Sequence, residues 1–218
     1  MTIRTDLIPT GRRNRPGTAC SCQAITIHET DNEACGADSA AHARYLKGDT
    51  AAALPVSWHY TVDEHEVVQH LPDREQGYHT GKAIGNQTSI GIEICVNADG
   101  DFERALQNAV QLVRILMERH GIPSGWVLQH FHWNMKNCPR RLRRAGWEEF
   151  KQAIELEEEA MERYHRLQEL PDWGRPTVQR LLQAGLLLGD GEGMNLSMDM
   201  LRLLVINDRA GLYGDGTE

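Results

Sequence analysis

The chain has 218 residues, of which 40% are hydrophobic and 25% charged, enough for one main core and a small appendage. A net charge of -8 argues against a general nucleic-acid binder, and no run of about 18 apolar residues is present for membrane insertion. Five cysteines are too few and too odd in number for a disulfide framework, and Cys20-Ser21-Cys22 has no matching pair to make a metal clip.

Residues Met1 to Pro9 lack the apolar stretch of an export signal, so work outside the cell would need another route. The first expected strand is Ala24–His28, and a helix over Ala37–Lys47 follows, closed by Gly48. Strands Ser57–Val62 and Glu66–His70 flank Asp63-Glu64-His65, a natural hairpin connection. In Ser89–Val96 the residues Ile90, Ile92, Ile94 and Val96 share one face, which sends Glu93 to the other.

Phe102–His120 repeats its apolar residues at helical spacing until Gly121 and Pro123, predicting a core helix over the sheet. An acidic helix is expected from Trp147 to about Leu170, ended by Pro171. Two short helices then surround the Gly189–Gly193 turn, with Leu201, Leu204 and Val205 as core positions. The resulting division is a main α/β domain over 1–147, an acidic helical linker over 148–170 and a small helical module over 171–218. So small a module suggests docking on a polymer, a partner or a second copy, which would make a homo-oligomer. Basic clusters at Arg12, Arg13 and Arg15 and at Arg140, Arg141, Arg143 and Arg144 suit solvated faces, an anionic polymer or the chain's own acidic helix.

Chemistry concentrates in Gln129-His130-Phe131-His132-Trp133-Asn134-Met135-Lys136-Asn137-Cys138-Pro139. Imidazole and thiolate are zinc ligands, but His130 and Cys138 stand alone, without the local pairs of a closed structural site. A third ligand must come from afar, and His28, at the end of the first strand, is the best candidate. A His2Cys site of this kind leaves one position for water, with Glu93 as a nearby proton acceptor and Lys136 as an oxyanion partner. These roles together describe amide hydrolysis.

Five motifs support this reading by their order: Ile25-Thr26-Ile27-His28-Glu29-Thr30, Trp58-His59-Tyr60-Thr61-Val62-Asp63, Gly77-Tyr78-His79-Thr80-Gly81, Ser89-Ile90-Gly91-Ile92-Glu93-Ile94-Cys95 and the stretch from Gln129 to Pro139. Over about residues 20 to 145 the chain resembles zinc-dependent N-acetylmuramoyl-L-alanine amidases of the amidase-2 type, in the phage endolysin and autolysin branch related to T7 lysozyme and the peptidoglycan recognition proteins. The resemblance implies a central mixed β-sheet flanked by helices and one Zn2+ per chain on His28, His130 and Cys138. It also implies Glu93 and Lys136 as catalytic residues and His79 as a groove contact. His59 is expected to brace the zinc rim, while His132 and Trp133 are expected to shape the groove wall. Trp58 stands where other branches carry a tyrosine, a departure that removes a hydroxyl and raises the demand on Glu93.

The substrate implied is bacterial peptidoglycan, cut between N-acetylmuramic acid and L-alanine of the stem peptide. An endolysin of this type waits in the host cytoplasm until a separate pore releases it to the wall. The rival readings are a non-catalytic peptidoglycan-binding module and a structural-zinc protein that offers its arginine cluster to an anionic partner.

Overall fold

The computed structural model describes residues 2–161, 163–189 and 193–214, with the backbone alone over 156–161. The chain divides into two units, Met1–Ile154 and Glu155–Glu218. In the first unit the strands are β1 Ile3–Thr5, β2 Ala24–Glu29, β3 Tyr60–Val62, β4 Val67–Gln69, β5 Ser89–Ile94 and β6 Val127–Gln129. They form one sheet in the order β1-β4-β3-β5-β2-β6, parallel throughout except for β3 against β4. The helices are α1 Ser39–Lys47, α2 Asp49–Ala52, α3 Ala83–Thr88, α4 Phe102–His120, α5 Phe131–Asn134, α6 Arg140–Arg144 and α7 Trp147–Met161.

Alternation along β2 and β5 sorts their side chains between the two faces of the sheet. Ile25, Ile27, Ile90, Ile92 and Ile94 are fully buried in one cluster with Leu112, Val113 and Leu116 of α4 and Phe150 and Ile154 of α7. Each such aliphatic side chain contributes about 1.5–3 kcal/mol by leaving water. Asp101 starts α4 by accepting the Arg104 amide at 3.0 Å, and Gly121 ends it in the left-handed region at φ 64°. The opposite face carries Thr26 beside Gly91 and His28 beside Glu93, as the β2–β5 register requires. One ladder therefore builds the core on one side and the candidate site on the other.

The expected hairpin over 63–65 is present, with the Asp63 carboxylate accepting the amides of His65 and Glu66 at 2.8 Å each. Helix α1 starts at Ser39, where Asp38 accepts the Ala41 amide at 2.7 Å. The edge strands β1 and β6 and the short helices α2, α3, α5 and α6 add to the expected elements. All five cysteines are free, and Cys20 and Cys22 are buried in the first unit's core. No helix among the described residues is long and apolar enough to cross a membrane.

The acidic helix does not run to Leu170 as expected; α7 stops at Met161, and Arg163–Tyr164 (β7) is a strand. The Glu169 carboxylate accepts the amides of His165 and Arg166 at 2.7 and 3.0 Å, which closes a turn in place of further helix. Tyr164 and Leu170 are buried in the second unit's core, so apolar burial overrides the helical preference of the glutamates. Helix α8 Arg175–Gln183, strand β8 Leu196–Ser197 and helix α9 Met198–Arg209 complete that unit, with β7 and β8 antiparallel. Leu201 and Val205 are buried, and Leu204 packs against the same cluster. Of the expected Gly189–Gly193 turn, residues 190–192 lie outside the described residues.

His70 is fully buried, its Nε2 is 2.8 Å from the Thr61 hydroxyl, and its Nδ1 has no partner. Burial lowers its pKa from 6.5 to about 3. The unfolded chain therefore takes up this proton first as pH falls, so stability is full above the unfolded pKa and is lost on the way down to the folded one. At about pH 5 the loss amounts to ~2 kcal/mol. Urea unfolding of His70→Gln is expected to show a smaller drop in stability between about pH 7 and about pH 5 than the parent. An identical drop contradicts the assignment.

Candidate metal centre

His28 is the last residue but one of β2, His130 follows β6, and Cys138 lies in the loop between α5 and α6. All three are buried, and one donor atom from each lies within 4.8 Å of the others. His28 Nδ1 is 3.8 Å from Cys138 Sγ. Ligands arranged tetrahedrally at bond lengths of about 2.0–2.3 Å would stand ~3.3–3.6 Å apart, so small side-chain shifts bring this set onto one ion. Both ring nitrogens of His130 and Glu93 Oε2 are buried without hydrogen-bond partners. Buried polar atoms are rarely left unpaired, and a cation here would take up one His130 nitrogen and lie beside the Glu93 carboxylate. Among the described residues no fourth His, Cys, Asp or Glu joins the group.

A hydrogen-bond chain decides which nitrogen of His28 faces the site. His79 Nε2 is 3.2 Å from the Ser89 carbonyl, which can only accept, so Nε2 carries the proton and Nδ1 is left as an acceptor. His28 Nε2 lies 2.9 Å from that Nδ1 and must donate. The lone pair on His28 Nδ1 therefore points toward Cys138 and Glu93. His59 continues the support: its Nδ1 accepts the Gly91 amide at 2.9 Å, and its Nε2 donates to the Glu75 carbonyl at 2.8 Å.

Cys138 is placed by its neighbours in sequence. The Phe131 amide donates to the Cys138 carbonyl at 3.1 Å, and Asn134 Nδ2 donates to the Thr80 carbonyl at 2.9 Å. Beyond Pro139, the buried Glu29 carboxylate accepts the first-turn amides of Arg141 and Leu142 at 2.8 and 2.9 Å. A carboxylate at the start of α6 meets the positive end of the helix and two otherwise unpaired donors. Consecutive residues of β2 thus supply a candidate ligand, His28, and the anchor for the helix that follows Cys138.

Burial sets the protonation of the cluster. It drives His28 well below the ordinary imidazole range and His130 down to about 4, so both rings are neutral and available as ligands. It pushes the Cys138 thiol up to about 12, a cost that a bound dication would offset by stabilising the thiolate. Glu93 Oε1 is 3.9 Å from His28 Nδ1, and burial holds this carboxyl well above the usual range while the Lys136 charge opposes the rise. Lys136 itself is exposed.

The remaining expected residues take other places. His79 was expected to touch substrate; instead it is buried behind His28 with both ring nitrogens engaged, which makes it a positioning residue. Trp133 turns inward, its Nε1 donating to Thr26 Oγ1 at 2.9 Å, and His132 is exposed beside it. The groove beside Glu93 is walled instead by His42, Tyr45, Val56 and Trp58, with Tyr45 and Trp58 stacked at 6.5 Å between centroids. Trp58 Nε1 is committed to Thr61 Oγ1 at 2.7 Å, so this residue brings no free polar group to replace the missing tyrosine hydroxyl. His59, expected to brace the zinc rim, bonds the Gly91 amide and the Glu75 carbonyl and lies edge-on to His79.

This arrangement of a strand-end histidine and a downstream histidine and cysteine coincides with a match over residues 18–141 to the family model for N-acetylmuramoyl-L-alanine amidases of the amidase-2 type. The chain belongs to that family. XlyA of Bacillus subtilis (strain 168), an N-acetylmuramoyl-L-alanine amidase, is 50% identical over 154 residues, covering 70% of this chain and 50% of XlyA. This chain thus spans about half the length of that relative. The structure of the catalytic domain of XlyA is 49% identical with a TM-score of 0.67, covering 71% of this chain and 99% of that domain. A mutant endolysin from Bacillus subtilis gives the same identity, coverage and TM-score.

A Cβ at Gly91 would lie 2.7 Å from Cγ and Nδ1 of His79. Gly91→Ala is therefore expected to displace His79, release His28 and weaken metal affinity by roughly tenfold to a hundredfold, read by competition with a chromogenic chelator. Unchanged affinity contradicts the support role given to His79.

Proposed function

We propose that the protein is a zinc-dependent amidase that hydrolyses the bond between N-acetylmuramic acid and L-alanine of the stem peptide in bacterial peptidoglycan. The observation that carries this reading is the convergence of two buried imidazoles and a thiol with an unpartnered carboxylate 3.9 Å from one of them. Membership of the amidase-2 family supports the reaction class. Two nitrogens and one sulfur suit Zn2+, one ion per chain, and three protein ligands leave room for substrate chemistry. Zinc supplies Lewis acidity in such a site, lowering the pKa of a water toward ~7 and polarising a carbonyl.

Glu93 holds and moves the proton. Its raised pKa, set by burial, suits a group that accepts a proton from the attacking water and returns it to the leaving amine. Lys136 brings a positive charge toward the oxyanion that forms on the amide carbonyl. Tyr45, Val56 and Trp58 offer apolar walls to the sugar and peptide on either side of the scissile bond, in a groove of about 370 Å³. A purely binding role is disfavoured because all three candidate ligands are present and Glu93 stands beside them. The likeness to an endolysin supports a role in wall lysis.

Incubating the purified protein with peptidoglycan is expected to release L-alanine amino termini without new reducing sugars, and a chelator is expected to stop the release. Cys138→Ser is expected to lose both zinc and activity. Glu93→Ala is expected to keep zinc while kcat falls by roughly 10²–10⁴. New reducing ends in place of amino termini contradict the amidase reading, and near-normal turnover by Glu93→Ala removes Glu93 from the reaction.

A further inference from the structure

The residue before Cys138 opens a second groove, of about 530 Å³, lined by Glu33, Asn137, Arg140, Arg141, Arg143 and Arg144. Four guanidinium groups and one carboxylate on a single wall stand out in a chain of net charge -8. The other basic cluster is spoken for locally: Arg15 pairs with Glu75, Arg12 with Asp49, and Arg13 donates to the Ala53 carbonyl. In the α6 cluster only half the charge is matched. Arg140 pairs with Asp31 at 2.5 Å and Arg141 with Glu33 at 3.6 Å. Neither Arg143 nor Arg144 has an acidic partner among the described residues.

Arg143 is also held in place. Its guanidinium carbon lies 3.6 Å from the centroid of the Phe131 ring, and one terminal nitrogen donates to Asn137 Oδ1 at 2.6 Å. Stacking on one face and a bond at one corner leave its other N–H groups without an acidic partner among the described residues, and a guanidinium fork grips carboxylate or phosphate oxygens in pairs. Glu29 fixes the helix beneath it through the Arg141 and Leu142 amides. Preorganisation of this kind cuts the entropy lost when an anion binds.

We infer that Arg143 and Arg144 form an anion subsite that takes an oxyanion of the cell wall while the neighbouring centre works on the amide. This inference rests on the amidase reading for its choice of polymer. The shared chemistry is a carboxylate or phosphodiester oxygen, and a wall offers both, as free carboxylates on the stem peptide and as phosphates of attached anionic polymers. The subsite adds positive charge where the rest of the protein would repel such a polymer, so its contribution weakens as salt rises.

The test is sedimentation of the zinc-replete 218-residue chain with two insoluble preparations, intact walls and peptidoglycan stripped of phosphate polymers, at low and high salt. Arg143→Gln/Arg144→Gln is expected to bind about tenfold more weakly at low salt, with the difference shrinking at high salt. Loss on both preparations assigns the oxyanion to the stem peptide, and loss on intact walls alone assigns it to the phosphate polymer. Binding within about twofold of the parent on both overturns the subsite. Zinc content and the unfolding midpoint check the fold, and the single Arg144→Gln change, at an exposed side chain, carries the test if the double variant unfolds. Product analysis alongside separates the two readings: a parent that binds through these arginines but releases no L-alanine ends defeats the amidase and leaves the subsite standing.

Discussion

Two imidazoles and a thiol are held together in a part of the protein that disfavours charge on any of them. Burial lowers the pKa of both rings and raises that of the thiol, so the cluster is neutral by itself and becomes anionic only where a cation compensates it. The parallel ladder of β5, β2 and β6 enforces this proximity. It sets His28 opposite Glu93, and the His130 amide donates to the Ile27 carbonyl at 3.2 Å. Everything proposed about the reaction depends on that shared strand end.

The support beneath the cluster is as specific as the cluster itself. His59, His79 and His28 sit edge to face in succession, and the Ser89 carbonyl at one end dictates which nitrogen is free at the other. Glycine at 91 leaves the space that the His79 ring fills. Glu29 then couples β2 to α6, so the strand that places His28 also steadies the helix after Cys138 and the arginines on it. The candidate ligands and the basic groove are thus joined through β2.

Much of this was legible in the sequence. The alternation in β2 and β5 separated the isoleucines from His28 and Glu93, and the apolar spacing in α4 together with Gly121 and Pro123 marked a helix whose ends the structure reproduces. The three ligand candidates followed from residue type and from family resemblance. Strands β1 and β6 escaped because three residues carry too little periodicity to read. Helix α7 was extended too far because its glutamates favour helix locally, whereas Tyr164 and Leu170 are fixed by a core formed with Leu196 and Leu201. His79 was placed in the groove by the family resemblance, and its motif gives no sign of direction to oppose that. Its role depends on a tautomer, and a tautomer is set by contacts across strands. Glu29 was invisible for the same reason: beside a histidine on a strand it resembles any solvated acid, and only the fold brings it to the start of α6.

The central claim is that one metal ion binds His28, His130 and Cys138 and no other protein donor. X-ray absorption at the zinc edge of the zinc-loaded protein tests it most directly. The account predicts a shell of one sulfur at about 2.3 Å and two imidazole nitrogens at about 2.0–2.1 Å, completed by a light-atom donor from solvent. A shell with two sulfurs, with three imidazoles, or with no sulfur would contradict it.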